Sequence, residues 1–140
     1  MSESLTTKAY LKELRLAPRK VSLVASLVRG RNVEDALVIL AHTPKRAAKP
    51  LSKVIASAKA NAMNNFNLKA DSLVIETLSV TAGARLKRYR PVSRGMAHPY
   101  QRKTSNILVV VRGEVKPAAK PAKAVKAEAK PAAKPEKESK

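Results

Sequence analysis

Arg85, Lys87, Arg88, Arg90, Arg94, Arg102, Lys103 and Arg112 place eight cations between Gly83 and Gly113, with no carboxylate among them. Such a group can neutralise crowded phosphates and release their counterions, so a polyanion is the partner it suits. Charge runs are most often solvated loops. A stretch of this length without a single acid goes beyond ordinary surface composition.

Other chemistry finds no support. The two histidines, His42 and His98, are far apart in sequence and lack ligand-spaced partners. The glycines, at 30, 83, 95 and 113, are isolated and form no phosphate-cradling loop. Glu34 and Asp35 are adjacent acids, but neighbours on a helix point about 100° apart, which suits capping better than a catalytic dyad. Serines occur without a Ser-His-acid order. No catalytic residue, metal site or cofactor is expected.

The cations need an element to carry them. Leu73 to Thr81 is rich in apolar and β-branched residues, and Ile107 to Val111 is an unbroken apolar run. Pro91, Gly95 and Pro99 punctuate the stretch between them. The pattern predicts a β-hairpin whose base joins a sheet and whose arms run beyond it, from about Gly83 to Asn106. Ten residues per arm at roughly 3.3 Å each reach about 30 Å. Tyr89, Val92, Met96 and Tyr100 are the main apolar side chains available there. A two-stranded ribbon of that kind is marginal in water, so the partner is expected to hold it.

Ahead of the arm, Lys8 to Leu16 alternates, with Tyr10, Leu14 and Leu16 on one parity. It predicts a strand with that face buried. A first helix is expected from Pro18 to Arg29, with Val21, Val24, Ala25 and Val28 on one face and Leu23 and Leu27 meeting a second neighbour. Arg19 and Lys20 sit at its start, where cations are unfavourable by a few tenths of a kcal/mol; an outside anion would explain them. Gly30 suits the C-cap, and Asn32 the next N-cap. That second helix turns Val33, Ala36, Leu37, Leu40 and Ala41 inward. Thr43-Pro44 is expected to open a third helix, kinked at Pro50 or preceded there by a short turn. Leu51, Val54, Ile55, Ala58 and Ala62 form its apolar stripe, opposite Lys45, Lys49, Lys53 and Lys59. Asn61, Asn64 and Asn65 suit capping, or contact with phosphate or ribose.

The expected fold is α+β: three helices packed on a small three-stranded antiparallel sheet, with a protruding β-hairpin. Residues 1–113 form this domain. Residues 114–140 hold eight Lys, eight Ala, four Glu and four Pro, a low-complexity tail expected to be disordered.

Composition agrees with the charge argument. The net charge is +19, with 29 basic against 10 acidic residues, which favours nucleic acid or an anionic surface. No apolar run is long enough to span a bilayer, and MSESLTTKAY lacks the signal-peptide pattern. Cysteine is absent. With three Tyr and one Phe, a base-stacking platform of the single-strand-binding kind is disfavoured.

Several short motifs occur in one order: ArgLeuAlaProArgLysVal at 15–21, LeuValArgGly at 27–30, LysArgAlaAla at 45–48 and SerAlaLysAlaAsnAla at 57–62. GlyAlaArgLeuLysArgTyrArgPro at 83–91 and ArgLysThrSerAsnIle at 102–107 complete the series. Across residues 5 to 113 the chain resembles the bacterial form of the large-subunit ribosomal protein twenty-two family. That resemblance implies a non-enzymatic, cytoplasmic constituent of the ribosome that binds large-subunit (23S-type) rRNA, supports subunit assembly and meets neighbouring ribosomal proteins. Its hairpin tip would line the nascent-peptide exit tunnel, where the family is linked to macrolide response and stalling. No membrane contact and no homo-oligomer are expected.

Carried over by position, the RNA-binding set is Arg19, Lys20, Arg29, Arg31, Lys45, Arg46, Lys59, Asn61, Arg85, Lys87, Arg88, Arg90, Arg94, Arg102, Lys103 and Thr104. The tunnel tip is Pro91, Val92, Ser93, Arg94, Gly95, Met96 and Ala97. The family often places a basic residue, Gly, Arg and Ala there; here the order is Arg94, Gly95, Met96, Ala97. Met96 cannot bind phosphate, so one charged interaction is missing or moved. Two rival readings rest on the same charges. One is an architectural DNA-binding arm with Pro91 and Met96 as wedges. The other is a binder of anionic membranes, which would need an amphipathic helix with an exposed aromatic face.

Overall fold

A computed structural model describes residues 4–115. Its elements are β1 (Ser4–Leu14), α1 (Pro18–Ala25), α2 (Val33–His42), α3 (Ala48–Phe66), β2 (Val74–Pro91) and β3 (Ala97–Glu114). The three strands form one antiparallel sheet in the order β1-β3-β2. This is the expected α+β arrangement. β3 is central, so its Ile107, Val109 and Val111 are fully buried. Side chains two apart share a face of a strand, and these three meet Leu11, Ala9 and Thr7 of β1 and Val80, Leu78 and Ile75 of β2. α3 packs on β1 and β3, and α1 on β2 and β3. The core lies between the helices and this face.

The stripe on α3 is buried as its spacing requires, from Leu51 to Ala62. Of the two alternatives expected at Pro50, the kink is absent and the short turn ahead of a longer helix is present. α3 starts at Ala48, after a turn in which the Ala48 N–H donates to the Lys45 carbonyl at 2.9 Å. Pro50 therefore lies in the first helical turn, where an amide hydrogen has no helical acceptor to lose. At the other end Asn67, with φ 49°, closes the helix in the left-handed conformation. Neither Asn64 nor Asn65 takes that position.

Two other expectations change. β1 buries Thr7 and Ala9, and Tyr10 is half-exposed. A bulge between Leu11 and Leu14 reverses the parity, so the buried set switches within the strand. Glu13 takes φ 57° at that bulge. α1 is shorter than predicted and passes through turns from Ser26 to Gly30. Leu23 and Leu27 are exposed, with no second neighbour over them among the described residues. On α2, Ala41 is exposed and Leu37 only half-buried.

The segment after α1 seals part of the outer edge of β2. Gly30 N–H donates to the Ile75 carbonyl, Ile75 N–H to Arg31, and Val33 N–H to Leu73, at 3.0–3.1 Å. At the far end β3 runs through Glu114, and Val115 bridges to Leu68. The ordered sheet thus reaches two residues past 113. The tail from 116 onward lies outside the described residues, as does its expected disorder.

Thr7 Oγ1 and Ser105 Oγ are buried without a hydrogen-bond partner. Replacing such a group by an apolar one of similar shape removes a desolvation cost. Thr7→Val is expected to raise unfolding free energy by up to about 1 kcal/mol, and Ser105→Ala to leave it nearly unchanged. Urea unfolding followed by circular dichroism measures both; a marked loss in either variant would mean the hydroxyl is satisfied.

Candidate nucleic-acid interface

β1 last pairs with β3 at Leu14 and Ser105, and beyond that point β2 and β3 continue as two strands alone. From Ala82 to Val92 this ribbon extends about 30 Å at roughly 3.3 Å per residue. Every residue from Lys87 to Lys103 is exposed. Leu86 is the last residue with partial shelter. The arm has no core of its own.

Its root is built by Glu13, Gly83, Ala84, Thr104 and Asn106. Besides an irregularity between Ile75 and Thr77, β2 has a bulge between Ala82 and Arg85, which falls where the third strand ends. Thr104 Oγ1 donates to the Ala84 carbonyl at 2.6 Å across it. Asn106 Oδ1 accepts the Glu13 amide at 2.9 Å, tying the bulge of β1 to the same stretch of β3. Gly83 leaves the space these groups occupy: a Cβ there would stand 2.5 Å from Thr104 Oγ1 and 3.3 Å from Asn106 Oδ1. Bulges bend and twist a ribbon, so this pair aims the arm.

At the tip, Ser93 to Gly95 makes the turn. Arg94 (φ 58°) and Gly95 (φ 71°) are consecutive left-handed residues, the requirement of a type I′ hairpin turn. Gly95 meets it freely. Arg94 does so at a cost of order 1 kcal/mol, which argues that the guanidinium is kept for its charge. Val92 N–H donates to the Met96 carbonyl at 2.9 Å to close the loop.

Register sorts the arm's side chains into two faces. Arg85 opposes Lys103, Lys87 opposes Gln101, and Tyr89 opposes Pro99. On the reverse face Leu86 opposes Arg102, Arg88 opposes Tyr100, and Arg90 opposes His98. Like charges directly opposite destabilise a ribbon, and Arg85 with Lys103 is such a pair. Among the described residues the one ion pair is Lys59 with Glu34, at 2.7 Å. The arm's cations therefore have no carboxylate to satisfy them there.

The body presents a second basic surface. Arg19 and Lys20 are exposed in the first turn of α1, which holds no acid. Lys45 and Arg46 lie in the turn before α3. They share a cleft of about 620 Å³ with Lys49 and Lys53, which the sequence places on the helix's polar side but outside the binding set. The signal for the added pair is that Lys49 and Lys53 are four apart, on one side of α3, close after Lys45 and Arg46.

Other members of the predicted set have intramolecular work. Arg29 Nε donates to the Leu78 carbonyl at 3.0 Å, and Arg31 Nε to Leu27 at 2.9 Å. Lys59 pairs with Glu34. Asn61 donates to the Lys8 carbonyl at 3.3 Å, and Thr104 holds the arm's root. These residues position the interface, while the arm, the first turn of α1 and the cleft before α3 present free cations. The described residues contain no cluster of three metal-ligating side chains, and none of their helices is long and apolar enough to cross a membrane.

Comparison with known proteins matches residues 9–112 to the family of ribosomal protein L22p/L17e. A relative from Herpetosiphon aurantiacus, large ribosomal subunit protein uL22, is 48% identical over 109 residues, covering 77% of this chain and 96% of that protein. The uL22 protein of Oceanobacillus iheyensis is 49% identical over 104 residues, covering 74% of this chain and 92% of its own length. The matched span includes the whole arm.

Proposed function

This chain belongs to the ribosomal protein L22p/L17e family, and on that premise we propose that it works as an RNA ligand whose arm is held in large-subunit rRNA. It is a structural constituent of the large ribosomal subunit in the cytoplasm, and not an enzyme. The observation that carries the finer reading is the two-stranded ribbon, exposed from Lys87 to Lys103 and free of carboxylates. Such a ribbon gains order from a polyanion that threads around it. The body's cations around α1 and α3 supply a second contact, fixing the direction in which the arm enters.

The turn from Pro91 to Ala97 would then stand farthest inside the subunit and line the nascent-peptide tunnel. Arg94 supplies charge there, and Met96, 60% exposed, supplies a polarisable apolar surface where the family often has arginine. Neighbouring ribosomal proteins are the expected partners of the body's remaining surface, and assembly of the subunit is the process served. The test is sedimentation of cell lysate through a sucrose gradient at magnesium concentrations that keep the subunits apart, with blotting for this protein. A peak with the large subunit that survives a moderate-salt wash is expected. A peak at the top of the gradient, or one released with the chromosome by nuclease, would overturn the reading.

A further inference from the structure

One side of the distal arm differs in kind from the rest. Arg90, His98, Tyr100 and Val92, with Pro99, line an open pocket of about 430 Å³ just below the turn. That size falls in the roughly 300–1,000 Å³ range of small-ligand pockets. The strand register explains the grouping: Arg90 pairs with His98, and Arg88 with Tyr100, on one face. At the level of the pocket the opposite face carries Tyr89 and Pro99, with Arg85, Lys87 and Lys103 nearer the root. Tyr100 is 48% exposed against 71% for Tyr89, so the more sheltered ring is the one at the pocket.

We propose that this pocket takes a single unpaired RNA base, stacked on Tyr100 and flanked by His98 and the Arg90 guanidinium. The inference rests on the arm being an RNA ligand and names the kind of contact this face makes. Among the described residues no core covers the ring faces of the arm, and a nucleobase offers a flat apolar surface in return. An arginine beside the ring adds a cation–π and stacking contribution. The two faces carry three cations each, Arg85, Lys87 and Lys103 against Arg88, Arg90 and Arg102, so charge alone does not set this face apart and the pocket does. The shortage of aromatic residues argues against a platform for several bases, and one base needs only one ring.

The test is equilibrium binding of the full-length protein to single-stranded oligoadenylate of roughly 12 nucleotides, and to an RNA of the same length with abasic residues. The two probes carry the same phosphates. Tyr100→Leu is expected to weaken oligoadenylate binding by about 5- to 100-fold and leave abasic binding unchanged. Tyr100→Phe keeps the wild-type affinity, and neither variant alters the dependence of log K on log salt. Arg85→Gln lowers that dependence for both probes. Equal wild-type affinity for the two RNAs, or an equal loss on both in Tyr100→Leu, overturns the pocket while leaving the arm an RNA ligand. If the wild-type protein binds neither RNA, the proposed function falls together with the pocket.

Discussion

Lys87→Glu combined with Arg88→Glu is expected to strip the protein from the large subunit during a salt wash that the wild type survives. The two residues are adjacent in β2 and point to opposite faces of the arm. Both are exposed, and neither has a carboxylate partner, so folding of the body should be spared. Removing one cation from a phosphate lowers the slope of log K against log salt by about 0.7 to 0.9. Removing two lowers it by about 1.4 to 1.8, and reversed charges add repulsion. The control is Lys134→Glu, which changes charge outside the described residues. The measurement is the fraction of tagged protein co-sedimenting with large subunits as salt is raised. Equal retention of the arm variant and the control would mean that the arm is not the main anchor.

The second large effect is expected at the root. Gly83→Ala places a methyl group 2.5 Å from Thr104 Oγ1, closer than two such atoms can approach. Either the hydroxyl rotates away from the Ala84 carbonyl or the bulge opens. Overpacking of this kind costs about 1–3 kcal/mol, and a broken hydrogen bond adds about 1 kcal/mol. A loss of about 2–4 kcal/mol lowers Tm by about 10 °C or more in a domain of this size. The mechanism is specific to one neighbour, so a double-mutant cycle can isolate it. In a Thr104→Ala background the same Gly83→Ala change should cost markedly less, because the clashing oxygen is gone. An undiminished cost in that background would assign the effect to backbone freedom at position 83 instead. RNA affinity of Gly83→Ala should also fall, since an arm without a fixed direction must be oriented by its partner.

Periodicity makes the α3 stripe legible, because its buried residues repeat at 3.6; in β3 the apolar run from Ile107 to Val111 marks a core strand, while register decides that Ile107, Val109 and Val111 face inward. The three bulges are not legible. They insert residues into the register without a break in strand-like sequence, so alternation alone assigns Tyr10 to the buried face that Thr7 and Ala9 occupy. Pro50 misleads for a different reason. A proline is disruptive or harmless according to its distance from the helix start, and Thr43-Pro44 imitates a start several residues early. The cations are easy to find and hard to sort. Composition cannot show that Arg29 holds the Leu78 carbonyl or that Lys59 holds Glu34, because both partners are remote in sequence. Nor can it show that Arg90, His98 and Tyr100 share a face, which depends on register across the turn.

The sheet's edges carry a consequence for the protein before it is assembled. The segment from Gly30 to Val33 covers part of the outer edge of β2 in the body, but along the arm neither outer edge pairs with another of the described residues. An open strand edge is a template for another copy of the same strand, and charged side chains are a standard defence against such pairing. Any two copies meeting edge to edge here would bring together Arg85, Lys87, Arg88, Arg90, Arg102 and Lys103 from each. The charges that weaken the ribbon in isolation are thus expected to keep newly made copies apart. That protection is cancelled when the charges are neutralised, so a polyanion that screens the arm without enclosing it should turn a soluble protein into a self-associating one.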